Sequence, residues 1–174
     1  MGTPTVVFVF NDPGTQWVPL TGNTAKMGFC KPSMGLADTG GNDVTITSAD
    51  TPKPFNYNGK SIDIYPSPGV TLVVGKGKSP KFSFKVVDAA SSNTAYALGG
   101  VALKVESITA LRDGSTSFPE LKVVTDKDGA TELTLTNEPD KGPNGKVVTY
   151  NFWVMAQDAA GDVGLIDPLI ENQN

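Results

Sequence analysis

The sequence predicts an all-β fold, a single-domain Ig-like antiparallel β-sandwich covering residues 1–174. Three observations carry this. No long stretch repeats its apolar residues at helical spacing. Short apolar runs alternate with polar residues at a period of two, the period of a strand with one buried face. The chain also has 19 Gly and 13 Pro among 174 residues, so turns cut it into pieces of strand length. That length suits one domain with a real core. With 39% hydrophobic and 18% charged residues the mix is globular rather than disordered. No shift in composition marks a domain boundary, and a two-layer sandwich of roughly seven to nine strands fits.

The elements follow in order. The apolar run Val6–Phe10 reads as a strand buried on both faces, and it is too short to span a membrane. No basic segment precedes it, so a signal peptide is not expected and a cytoplasmic location is. From Asn11 to Asn42 the pattern is irregular and reads as loops or short edge strands. Pro19 and Pro32 lack a backbone donor and suit edges. "DVTIT", "SIDIY" and "VTLVV" are strands, and "VVGKGKSP" is a Gly-rich bend. In "KFSFKVV", Phe82, Phe84 and Val86 face one way while Lys81, Ser83 and Lys85 face the other.

The stretch "DAASSNTAYALGG" reads as a loop or one short helical turn. In "VALKVE", Val101, Leu103 and Val105 point inward, and Lys104 and Glu106 outward. "LKVV" and "TELTL" are strands, the second with Leu133 and Leu135 inward. The longest strand is "VVTYNFWVMA". Tyr150, Phe152 and Val154 form one face, with Trp153 and Met155 on the other, as expected of a central strand. Asn-Gly in "YNGK" and "PNGK", and Asp-Gly in "RDGS", tolerate the positive φ of tight hairpins.

Charge and residue usage exclude several mechanisms. Net charge is −4, and Lys and Arg total only 14, scattered along the chain. Nucleic acid and anionic membranes are therefore not expected partners, because both need a basic face. The chain has no His, which removes Ser-His-Asp hydrolysis and imidazole-based zinc sites. Cys30 is the single cysteine, so no internal disulfide forms. It reads as a structural thiol, because no histidine base is present to activate it.

The acidic turn in "VVTDKDGATELTLTN" is the best cation candidate, with Asp126 and Asp128 as metal ligands. Calcium needs about six to eight oxygens. The EF-hand count fails, because its fifth position is Ala130 and its twelfth Asn137. A partial site completed by Asp113 or Asp158 stays open, beside the plainer reading of a hairpin between "LKVV" and "TELTL". "VVGKGKSP" lacks P-loop spacing and runs into a strand rather than a helix, so no cofactor is expected. Paired carboxylates drawn from Asp38, Asp43, Asp63, Glu106 and Glu132 would be needed for glycoside hydrolysis. Trp17, in the loop-like "GTQWVPL", is the candidate for stacking on a ligand such as a sugar.

Two resemblances rest on particular residues. Thr125, Asp126, Gly129, Ala130, Thr131, Leu133 and Leu135 resemble the turn and following strand of bacterial Ig-like repeats of invasin and intimin type. This covers about a third of the chain with the loosely similar "FKVVDAA…GGVALKVES", and it implies an Ig-like sandwich. The C-terminal part is similar to the DP-EP family of small single-domain bacterial proteins. The matching pieces are the strand Tyr150–Met155, the turn Asp158–Gly161, and Asp167-Pro168 before Ile170 and Asn172. "NDPG" at Asn11–Gly14 and "NEPD" at Asn137–Asp140 fit the same family. The inclusion-body protein family ends comparably, but this chain has Ile166 where an aromatic is expected. Neither resemblance implies a catalytic residue.

The function expected from sequence is thus a non-enzymatic binding or assembly module that self-associates or takes a small ligand. The alternatives are a calcium- or carbohydrate-binding domain built on Asp126, Asp128 and Trp17, and a carboxylate-based hydrolase.

Overall fold

The computed structural model describes residues 2–10, 17–19, 27–66, 69–89, 97–108, 121–124, 132–138, 145–157 and 163–173. Every regular element among them is a strand, and none is a helix able to cross a membrane. The strands are β1 (Thr5–Phe10), β2 (Trp17–Pro19), β3 (Met27–Cys30), β4 (Ser33–Asp38), β5 (Val44–Ser48), β6 (Lys53–Tyr57), β7 (Lys60–Tyr65) and β8 (Val70–Val74). They continue as β9 (Lys81–Asp88), β10 (Ala97–Ile108), β11 (Leu121–Val124), β12 (Glu132–Asn137), β13 (Val147–Gln157), β14 (Val163–Ile166) and β15 (Leu169–Gln173).

Seven strands form one sheet in the order β11-β12-β9-β1-β4-β7-β6, and the other eight form the second. The fifteen described strands exceed the expected seven to nine. Part of the excess is the stretch read as loops or edge strands. Its segment "SMGLAD" is β4, which lies inside the first sheet between β1 and β7. Gly35 hides it from pattern reading. A Cβ there would sit 2.5 Å from the Asp63 carbonyl oxygen, so only glycine allows β7 this close.

The expectation of antiparallel pairing is also corrected, because three pairs run parallel: β1 with β9, β3 with β14, and β8 with β15. Alternation along a strand reports which face is buried. It carries nothing about the direction of a neighbour distant in sequence.

The second sheet forks. β10 and β13 pair along nearly their whole length. On the other side of β13, β14 and β15 lie end to end in one register, with Val154 opposite Ile166 and Asn151 opposite Leu169. Asp167 and Pro168 join them. Phe152 N–H donates to the Pro168 carbonyl at 3.2 Å, and proline has no N–H to return the bond. At this step the outer neighbour changes from β3 to β8. β2 then flanks β3, and β5 flanks β8.

The two sheets share an aromatic core. Phe8, Phe82 and Phe84 from the first sheet and Tyr150, Phe152 and Val154 from the second are at most 1% exposed. Phe84 stacks on Phe8 and Phe82 at 6.0 and 5.9 Å and tilts onto Phe152 of the facing sheet at 5.4 Å. The faces expected of "KFSFKVV" and "VVTYNFWVMA" are those observed, with Met155 36% exposed opposite the buried set. β1 is indeed buried on both sides. Val6, Phe8 and Phe10 enter the shared core, while Val7 and Val9 join Ile62, Ile64 and Val87 on the outer face.

One polar tie crosses the core. The side-chain amides of Asn137 (β12) and Asn172 (β15) donate to each other's oxygens at 2.7 and 2.9 Å, and both residues are fully buried.

Turn chemistry is mixed. Asn58 and Gly59 adopt φ of 50° and 81° and close a two-residue β6–β7 hairpin, as "YNGK" predicts. Gly145 of "PNGK" has φ 74°, but it precedes β13 and follows β12, which belong to different sheets. It therefore serves a crossover and not a hairpin. The β4–β5 crossover holds three successive left-handed residues, Gly40, Gly41 and Asn42, at φ 66°, 76° and 72°. Asp38 Oδ1 accepts the Gly40 N–H at 2.7 Å and Thr39 Oγ1 accepts the Asn42 N–H at 3.1 Å.

Candidate functional site

The two sheets end out of step, and a site follows from that. Among the described residues β5 is an edge strand of the second sheet, with β8 its only paired neighbour. The first sheet continues past β4 through two further strands, β7 and β6. An open groove of about 360 Å³ lies between β5, β4 and β7. Its apolar floor is Leu36, Val44 and Ile46, side chains that pack at the margin of the shared core. Alternation along β7 turns Ser61, Asp63 and Tyr65 toward this side, because Ile62 and Ile64 point to the outer face. Thr39, Thr45 and Lys60 complete the wall.

The polar groups of the wall differ in how far they are engaged. Lys60 Nζ donates to the Ala37 carbonyl at 2.9 Å, which fixes the ammonium at the mouth. Thr39 is occupied in the turn below. Asp63 is exposed. Behind β5, Lys78 Nζ pairs with Asp43 Oδ1 at 2.9 Å and anchors the strand's start to the bend before β9. An apolar floor ringed by hydroxyls, one cation and one carboxylate suits recognition of an amphipathic ligand.

No protein-family model, curated protein or solved structure matches the chain. The groove's own chemistry therefore carries the functional reading.

Of the residues singled out from sequence, Asp63 lines the groove. Asp126 and Asp128 fall between β11 and β12, outside the described residues. The strands on either side do pair antiparallel, Leu121 opposite Asn137 through Val124 opposite Thr134, as the hairpin reading requires. Trp17 lies in β2, directly opposite Cys30 of β3, so pairing brings these two positions together at one sheet edge. Their side chains are outside the described set. Among the described residues no three cysteine or acidic side chains gather as a cation site.

Sequence reasoning named Asp63 only as one of several carboxylates, and it missed Ile46 and Tyr65 as groove residues. One local signal was available: "VTITS" is a strand of neutral, largely β-branched residues without a proline or a charge.

Proposed function

We propose that this protein is a non-enzymatic binding module on a single-domain, Ig-like sandwich scaffold, and that the groove between β5 and β7 is where it engages its ligand. Two facing sheets around one aromatic core support the scaffold reading. The invasin-type and DP-EP resemblances of the sequence point to the same scaffold. The observation that carries the binding reading is the groove itself, apolar below and polar at the rim. The calcium and sugar alternatives rest on Asp126, Asp128 and Trp17, whose side chains the described residues do not include.

Methyl-labelled protein titrated with a panel of small apolar fragments, sugars and calcium tests this reading. The expected result is that at least one fragment or sugar shifts the methyl signals of Leu36, Val44 and Ile46. A panel whose hits all perturb other regions would remove the groove as the binding site.

A further inference from the structure

We infer that the groove's ligand is an extended polypeptide segment of a partner protein, which adds as an extra strand to the free edge of β5. This rests on the groove reading above and names its occupant.

The backbone of β5 supplies the first argument. Val44 lies opposite Val74, so Asp43 falls opposite Gly75, whose N–H donates to the Asp43 carbonyl at 3.0 Å. In an antiparallel pair the bonded residues recur at every second position. Thr45 and Thr47 therefore bond to β8, while Ile46 and Ser48 direct their backbone groups away from it. Val44 agrees, because its N–H goes back to the Thr39 carbonyl in the preceding turn at 3.2 Å. The carbonyls of Val44 and Ile46 and the N–H groups of Ile46 and Ser48 form a short row along the groove. Only another extended backbone matches such a row at strand spacing.

The second argument is a contrast among edges. Exposed edges are ordinarily blunted by proline, charge, brevity or a register break. β6 contains Lys53 and Pro54, and β2 is three residues long and ends in Pro19. β11 is four residues long and includes Lys122. β10 breaks register twice, between Leu98 and Gly100 and between Val105 and Ser107. Among the described edge strands β5 alone, "VTITS", has none of these devices.

The third argument selects a segment over a second copy of this chain. β7 and β6 project beyond β5 as a shelf on the first sheet. Two copies paired edge to edge through β5 would bring two such shelves into one space. A single strand lies between β5 and β7 without that conflict. Its inward residues would meet Leu36, Ile46 and Tyr65, so the segment should be apolar at alternate positions.

The test uses the whole protein, nitrogen-labelled, and an octapeptide that alternates valine and threonine with a lysine at each end. Two further versions carry N-methyl groups on the valine amides or on the threonine amides. Amide N–H groups of a strand alternate in direction, so each methylated set blocks one edge of the peptide. The parent peptide is expected to shift the Ile46 and Ser48 amides and to slow their solvent exchange on the order of tenfold at saturation. One methylated version should retain this effect and the other should lose it. Equal effects of the two methylated versions would overturn the inference, as would unmoved Ile46 and Ser48 amides at millimolar peptide. A protein that dimerises with concentration and protects the same two amides without peptide would overturn it in favour of self-pairing. If fragments still shift the Leu36 and Ile46 methyls while the peptide leaves the amides unmoved, the groove reading stands and strand addition fails.

Discussion

Replacing Phe84 with alanine is expected to destabilise the protein by about 3–5 kcal/mol. The position is completely buried near the middle of the first sheet, with Val6 opposite it on β1 and Leu133 opposite it on β12. Its ring meets Phe8, Phe82 and, across the core, Phe152. Truncation therefore removes the transfer free energy of the ring and leaves a cavity bounded by three other rings. Neighbours held in two hydrogen-bonded sheets have little freedom to collapse into it. Total stability for a domain of this kind is about 5–15 kcal/mol, so the loss takes a large share. Urea unfolding monitored by tryptophan fluorescence measures it, with Lys81→Ala as the reference. Lys81 is exposed on the same strand, and its removal should change stability by about 0.5 kcal/mol at most. A loss below about 1 kcal/mol for Phe84→Ala would contradict the aromatic core described here.

The Asn137–Asn172 pair should give the second-largest effect, and a non-additive one. Both side chains are fully buried, and each amide donates one hydrogen bond to the other's oxygen. Asn137→Leu removes both of these hydrogen bonds from the buried Asn172 amide, at a cost of about 1–3 kcal/mol. Asn172→Leu does the same to Asn137. The double variant removes both polar groups together. Replacing both partners by apolar groups of similar shape can be nearly neutral. The double variant should therefore be more stable than the sum of the single losses predicts, by about 0.5–3 kcal/mol. Strict additivity in a double-mutant cycle would show that the two amides do not act as a pair.

Much of the fold was legible because burial leaves a local trace. The run Val6–Phe10 declared a strand buried on both faces, and it packs into two separate apolar clusters. The alternation around Phe84 and Phe152 gave the inward faces correctly. Asn58-Gly59 announced its hairpin, since only such residues tolerate two successive positive φ values cheaply.

What escaped was non-local. Pairing order and strand direction depend on partners far away in sequence, so the parallel pairs and the fork at Asp167-Pro168 left no periodic signal. β4 escaped because Gly35 interrupts its pattern, although close approach to β7 requires that glycine. The groove escaped for the same reason as the pairing order. Ile46 and Tyr65 are ordinary strand residues until the sheet order places β5 at an edge and β7 beyond it. Asp126, Asp128 and Trp17 stood out because acids beside glycine and a tryptophan in a loop-like segment are conspicuous in a sequence. Edge position is not.

The functional account depends on β5 presenting an open backbone edge to the groove. Native-state amide exchange of the ligand-free protein tests that directly, residue by residue. The account predicts slow exchange for Thr45 and Thr47, whose N–H groups bond to β8, and fast exchange for Ile46 and Ser48 between and beyond them. Protection of Ile46 equal to that of Thr45 and Thr47 would mean that the edge is already covered, and would contradict it.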